Sequence, residues 1–373
     1  MKAIINGRIV TQNTVIENGT VLFDEKIRAV GTDIDIKSAE VIDAEGNYVI
    51  PGLVDIHIHG YCGDDVCDAD CDGIRRISMA LTRNGVTAWC PTTMTVAREN
   101  IEEAFSVVRE LKGDTTGAKI LGVNVEGPYI NPSKKGAQAE EHIKKPDAQF
   151  IIDNKDIIKL VTVAPETDGG LEFIDRVTKE SDICVSIGHT AADYLCTKSA
   201  IRKGARHITH LFNAMPPLNH REPGVIGAAL ENDEVSCEII ADTFHINPAL
   251  FTILNRVKRD KLILITDCMR AGGMPDGEYT LGGQPVTVNG IECRLSDGTI
   301  AGSILTLNKA VRNFKEYTDI PIYEAVNMVS LYPARVVGED DKIGSITEGK
   351  LADIVIADDE LEIKSVFING KRV

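Results

Sequence analysis

Two histidines two residues apart, His57 and His59, lie in an apolar run that reads as a buried strand, so both side chains leave the same face. Four more groups, Glu126, His189, His210 and Asp267, fall at or near the C-terminal ends of other apolar runs. Imidazole nitrogens and carboxylate oxygens in this number suit a divalent metal ion. Zn²⁺ ranks first, Fe, Mn and Co fit the same donors, and one or two ions per subunit are expected. Taken singly, each group is weak evidence, because a lone strand histidine is usually a satisfied core residue and a closing Asp is often a helix cap. Their shared position, one end of consecutive strands, carries the inference.

Such an ion acts as a Lewis acid on water and on a carbonyl, which makes amide hydrolysis feasible near neutral pH. A neighbouring carboxylate can accept the proton of water and return it to the departing amine. Asp267 is expected in that role and also as a ligand, while Glu126 is placed to bridge two ions about 3.5–4 Å apart. His245, in Ala241-Asp242-Thr243-Phe244-His245, lies close enough to the same rim to touch substrate. The remaining histidines read differently. His142 sits in a charged loop and is expected at the surface. His207 precedes His210 by three residues, which predicts the opposite face and a structural role, and His220 beside Arg221 stays open.

These groups need a scaffold that brings strand ends together. Between Leu53 and Asp267 the chain repeats an apolar run, a loop and an amphipathic stretch. Eight strands are expected: Leu53–His59, Val86–Thr92, Ile120–Gly127, Ile158–Glu166, Asp182–Thr190, His207–Phe212, Ser236–Asp242 and Leu262–Asp267. Helical patterns fall at Ile74–Asn84, Glu99–Lys112, Ala191–Lys203 (with Thr190 as its N-cap) and Pro248–Arg259. Strict alternation favours a (β/α)8 TIM-like barrel over an open doubly wound sheet, and barrel active sites form at the C-terminal rim. The connection Asn213–Leu230, rich in Pro and Gly, reads as a functional loop without a clear helix. Residues 1–50 and 336–373 alternate with a two-residue period and carry Asn-Gly turns, so both ends are expected to build one small β-sandwich domain around a barrel of residues 51–335.

The 373 residues, 43% hydrophobic, suffice for one large α/β domain with a smaller companion. A formal net charge of −16 argues against a nucleic-acid binder, so an anionic substrate would need a local basic group. No stretch approaches the ~18–20 apolar residues of a membrane span, and Met1–Val10 lacks the apolar core of a signal peptide. Nine scattered cysteines, with no zinc-ribbon spacing at Cys62, Cys67 and Cys71, read as free thiols of a cytoplasmic protein.

The run Val49-Ile50-Pro51-Gly52-Leu53-Val54-Asp55-Ile56-His57-Ile58-His59-Gly60 resembles the opening signature of the amidohydrolase superfamily. Val125-Glu126-Gly127-Pro128-Tyr129, Ile187-Gly188-His189-Thr190, His210-Leu211-Phe212-Asn213-Ala214-Met215, Arg221-Glu222-Pro223-Gly224 and Ala301-Gly302-Ser303 narrow the resemblance to the N-acetylglucosamine-6-phosphate deacetylase family. That resemblance implies that Glu126, His189 and His210 hold the main metal, that Asp267 is general base and acid, and that His245 helps stabilise the oxyanion. It implies a sugar site lined by Ala137, Gln138, Asn213, Ala214, Ala301, Gly302 and Ser303. It further implies a homodimer in which Arg221 reaches the neighbouring active site and binds the phosphate of a phosphorylated amino sugar. Gln138 stands where members often carry His, and an amide can hydrogen-bond but not be charged. Alternative readings are a hydrolase of N-acetylgalactosamine 6-phosphate or of a cyclic amide, and a non-catalytic assembly protein.

Overall fold

In the computed structural model, which describes residues 1–373, eight parallel strands run around a barrel. They are β1 Leu53–Ile58, β2 Val86–Thr93, β3 Val123–Glu126, β4 Ile158–Val163, β5 Cys184–Ile187, β6 His207–Ile208, β7 Ser236–Ile240 and β8 Leu262–Ile265. Neighbours pair in chain order. Runs such as Leu262-Ile263-Leu264-Ile265 are buried throughout, because helices cover the outside while side chains fill the inside. The seam between β8 and β1 is thinner. At its C-terminal end the Asp267 amide donates to the His57 carbonyl at 2.9 Å, and the His59 amide to the Cys268 carbonyl at 2.8 Å. Lower down, Leu264 and Val54 bond instead to the carbonyls of Met328 and Val329, at 3.1 and 2.8 Å.

Most strands end earlier than their apolar runs predict. His59, Glu166, Thr190, Phe212, Asp242 and Asp267 all lie past the last strand residue. The backbone there leaves the extended region, with φ of 47° at His189, 27° at His210 and 48° at Asp267. Two helix expectations also change. The helix after β5 spans Tyr194–Arg202 and is capped by Asp193, whose carboxylate accepts from the Cys196 amide at 2.7 Å. Thr190 instead donates its hydroxyl to Glu166 at 2.5 Å. Between β6 and β7 a helix does form, Gly224–Glu231. Its Val225, Ile226, Ala228 and Ala229 are all buried, so the segment lacks the polar stripe by which an amphipathic helix is recognised.

The chain ends share one sheet. Ile354–Ala357 pairs antiparallel with Tyr48–Pro51, and Ile363–Ile368 and Lys371–Arg372 extend the same sheet. The strands of this β-domain form one hydrogen-bonded network that divides along Lys2–Val10, whose first half pairs with Glu40–Asp43 and whose second half pairs with Tyr48–Pro51. It has its own cluster of 12 buried residues, including Ile4, Phe23 and Phe367, while Val10, Ile50, Val355 and Val366 of the same sheet join the main core of 78. No helix is long and apolar enough to cross a membrane.

After β8 comes an antiparallel meander, Gly277–Leu281, Gln284–Asn289 and Glu292–Leu295. It packs Leu281, Val286 and Val288 against Met94, Ala137 and Met269 beside the barrel mouth. Gln284 ties it down by donating to the Ala137 carbonyl at 2.5 Å.

On the barrel's outside, Phe314 stacks on Phe251 with centroids 4.9 Å apart, and both are fully buried. Phe314→Ala is expected to cost about 3–5 kcal/mol, read as a lower midpoint in urea, with unchanged metal binding by the folded fraction.

Candidate active site

The ends of the barrel strands bring together all six groups read from the sequence. Donor atoms of His57, His59 and Glu126 lie within 4.8 Å of one another, as do those of Glu126, His189 and His210, so the two triads share Glu126. Glu126 Oε1 lies 3.1 Å from His189 Nε2 and 3.0 Å from His210 Nε2, and these two nitrogens face each other at 3.1 Å. His59 Nε2 sits 3.2 Å from Glu126 Oε2 and 3.1 Å from Asp267 Oδ1. His57 Nε2 lies 3.4 Å from both carboxylates and has no hydrogen-bond partner.

The far side of three of the four rings bears on how this fits a metal. His189 Nδ1 faces the Lys134 carbonyl at 2.9 Å, His59 Nδ1 the Thr92 carbonyl at 3.2 Å, and His57 Nδ1 the Glu238 carboxylate at 3.0 Å. Each partner only accepts, so each Nδ1 carries a proton and each ring presents its Nε2 to the carboxylate oxygens. A proton on Nε2 or a cation between the groups can satisfy them in this buried space, and imidazoles gathered around carboxylates are the donor set of a divalent ion. His189, His210 and Asp267 also sit at positive φ, a strain of about 1–3 kcal/mol each of the kind that persists at functional sites.

Beside the triads opens a cavity of about 250 Å³. Of the residues expected at a sugar site, Ala137, Gln138, Asn213, Ala214, His245 and Gly302 line it, together with Thr299, Ile300 and Leu281, which sequence reasoning missed. Asp242 orients His245 by accepting from its backbone amide at 2.8 Å and bonding its Nδ1 at 2.6 Å, so Nε2 is left for the cavity. Gln138 is not free for substrate. Its Oε1 accepts from the Thr95 amide at 2.6 Å and its Nε2 donates to Glu126 Oε2 at 2.7 Å, so it steadies the shared carboxylate. Ala301 and Ser303 are buried but do not line the cavity. The Ser303 hydroxyl donates to the Thr266 carbonyl at 2.5 Å and acts as a strut behind Asp267. Arg221 is exposed and outside the cavity, as is His220, while His142 is half-buried.

A model described as the amidohydrolase family matches residues 48–373. The chain belongs to the amidohydrolase family. It is 42% identical to the N-acetylglucosamine-6-phosphate deacetylase of Bacillus subtilis (strain 168), over 97% of this chain and 94% of that protein. It is 37% identical to an N-acetylgalactosamine-6-phosphate deacetylase of Escherichia coli O157:H7, over 89% of each. The solved N-acetylglucosamine-6-phosphate deacetylase of Pasteurella multocida superposes with a TM-score of 0.94 at 31% identity, covering 100% of this chain and 99% of that one.

In this amidohydrolase His207 departs from its expected place. It does not leave the barrel on the opposite face, but points inside with zero exposure and meets Glu238 at 3.0 Å. The strand ends at Ile208, so two-residue alternation cannot be counted through to His210. Glu238 went unread, although a Glu inside the apolar run Ser236–Ile240 was the available signal.

Burial disfavours charge at His57, His59, Glu126 and Asp267, but attraction between imidazoles and carboxylates outweighs it in the metal-free protein. Burial opposes protonation of His59, yet hydrogen bonds to Asp267 and Glu126 push it up to about 9. Burial opposes ionisation of Glu126, yet His57 and His189 hold its carboxyl well below the usual range. A metal ion must therefore displace protons. Metal binding by the apo-protein is expected to release protons and to tighten as pH rises toward about 9, and isothermal titration in buffers of different ionisation enthalpy checks this. Affinity independent of pH across 6–9 would contradict the ligand set. Glu126→Gln, which removes the shared ligand, should lower the metal content of the purified protein, read by elemental analysis.

Proposed function

We propose that this amidohydrolase removes the acetyl group of N-acetyl-D-glucosamine 6-phosphate, yielding acetate and D-glucosamine 6-phosphate. The observation that carries the reading is the pair of donor triads sharing Glu126, with Asp267 at their edge and His245 facing the same cavity. Near full-length identity of 42% to a deacetylase of that substrate supports the choice of sugar. Bound at these residues, a divalent ion, Zn²⁺ foremost, supplies Lewis acidity toward water and the acetamide carbonyl. Glu126, His189 and His210 would hold one ion, and His57 and His59 with Glu126 a second.

The chain's own groups do the rest. Asp267 takes a proton from the attacking water and delivers it to the amine nitrogen as the C–N bond breaks. His245, fixed by Asp242, contacts the substrate. Asn213, Ala214 and Gly302 border the space for the sugar, and Leu281 and Ile300 limit solvent on the meander side. In our reading Arg221 belongs to the site of a second copy in a homodimer, where its guanidinium pairs with the phosphate through two parallel hydrogen bonds. Its exposure, away from its own cavity, supports that assignment. Nine free cysteines suit a reducing cytoplasm. A relative named for N-acetylgalactosamine 6-phosphate, 37% identical, keeps the C4 epimer as the second reading.

Acetate release from N-acetylglucosamine and N-acetylgalactosamine, each with and without the 6-phosphate, tests the proposal. The fastest turnover is expected with the phosphorylated glucosamine derivative, and rates indifferent to the phosphate would overturn it. Asp267→Asn should keep most of its metal while turnover falls by about 10²–10⁴-fold, because an amide cannot accept the proton of water. Near-normal turnover would remove Asp267 from its role. Arg221→Ala should raise KM for phosphorylated substrates far more than for unphosphorylated ones, and equal losses would refute the phosphate contact.

A further inference from the structure

Glu238 carries a buried carboxylate that the reaction does not use. It lies inside the barrel on β7 with zero exposure. Its Oε2 meets His57 Nδ1 at 3.0 Å and accepts from the His210 backbone amide at 3.1 Å. Its Oε1 meets His207 Nε2 at 3.0 Å, and His207 Nδ1 in turn meets the Ser236 hydroxyl at 3.0 Å. Both oxygens of the carboxylate are thus engaged, and one of its contacts is the back of a metal-facing imidazole.

The four metal-facing histidines are not supported alike. His59 and His189 rest on backbone carbonyls, and His210 Nδ1 has no partner. Only His57 rests on a carboxylate. A carboxylate behind a ligand histidine fixes its tautomer and makes the far nitrogen a better donor, more strongly than a carbonyl does. His57 is also the ligand whose Nε2 lacks any hydrogen-bond partner, so its orientation depends on what holds it from behind. Burying a carboxylate and a second histidine in an apolar strand layer is unfavourable unless they serve each other and the ring they face.

The geometry points to Glu238, steadied by His207, as a positioning residue that commits His57 to a second metal ion and so sets that ion's affinity apart from the first. This rests on the metal-dependent reading of the site given above. The ion held by Glu126, His189 and His210 needs no support from Glu238 at its ring nitrogens, whereas the ion held by His57, His59 and Glu126 does. Loss of the support is therefore felt at one ion and not at both.

The test is metal binding by the full-length protein, followed by Zn²⁺ titration against a chromophoric chelator and by elemental analysis after dialysis, with thermal midpoints of the metal-free forms measured in parallel. The wild type is expected to hold two ions per subunit. Glu238→Gln, close to isosteric, should weaken the second by about 10–100-fold, so that dialysis leaves one, while the first binds as before. His57→Gln should lose the same ion, and adding Glu238→Gln to it should cost nothing further. Two ions retained at wild-type affinity in Glu238→Gln would overturn the proposal. So would parallel weakening of both ions with a lowered thermal midpoint, which marks a general packing role, and so would a wild type that holds only one ion. A wild type that binds none would instead refute the metal-dependent reading itself. Should Glu238→Gln fail to fold, His207→Gln removes only the support behind the carboxylate. A smaller but selective loss of the second ion is then expected, and no loss would overturn the proposal.

Discussion

The structure turns on an electrostatic conflict that protein atoms alone leave unresolved. Carboxylate oxygens of Glu126 and Asp267 and imidazole nitrogens of His57, His59, His189 and His210 crowd within hydrogen-bond range in a buried space. In water such groups would separate, but here His57 and Glu126 stand in barrel strands and the others within two residues of strand ends. Protons can relieve the conflict, as the raised His59 and lowered Glu126 indicate, and a divalent ion can relieve it better. Barrel, rim loops and buried supports can all be read as the framework that holds these groups at close range out of water.

That framework is layered. Side chains nearest the cavity are held by polar groups: Gln138, itself on the cavity wall, braces Glu126, while Asp242 behind His245 and Ser303 behind the Asp267 turn do not line it. Gln138 shows how position alters role, because a residue expected to touch substrate is drawn onto Glu126 by the Thr95 amide at its other end. A free amide in the cavity would select substrate, whereas a clamped one selects the orientation of a ligand.

Much of this could be read from the sequence, for definable reasons. Fully buried parallel strands have continuous apolar runs, so the barrel was legible, and titratable groups at the ends of such runs stand out against Val, Ile and Leu. Strand limits were less legible, because left-handed turns at His189, His210 and Asp267 leave no mark in residues that are not glycine. The same turn defeated the alternation argument for His207. The helix Gly224–Glu231 was hidden by being buried on most of its surface, and the meander after β8 lies in a stretch where polar turns outweigh apolar alternation. Contacts such as that of Glu238 with His57, 181 positions apart, depend on barrel closure and have no local signature.

The thin seam between β8 and β1 gives the coordination chemistry a mechanical meaning. One flank contributes Asp267 and the other His57 and His59, and only a few backbone bonds near the rim join the flanks directly. An ion gripped from both sides would act as a clasp on a cylinder that its own hydrogen bonding leaves partly unbuttoned. Stripping the ion should then do more than silence the enzyme. It should open a fault line from which the wall unzips, so that catalytic competence and the integrity of the cylinder fail at the same place.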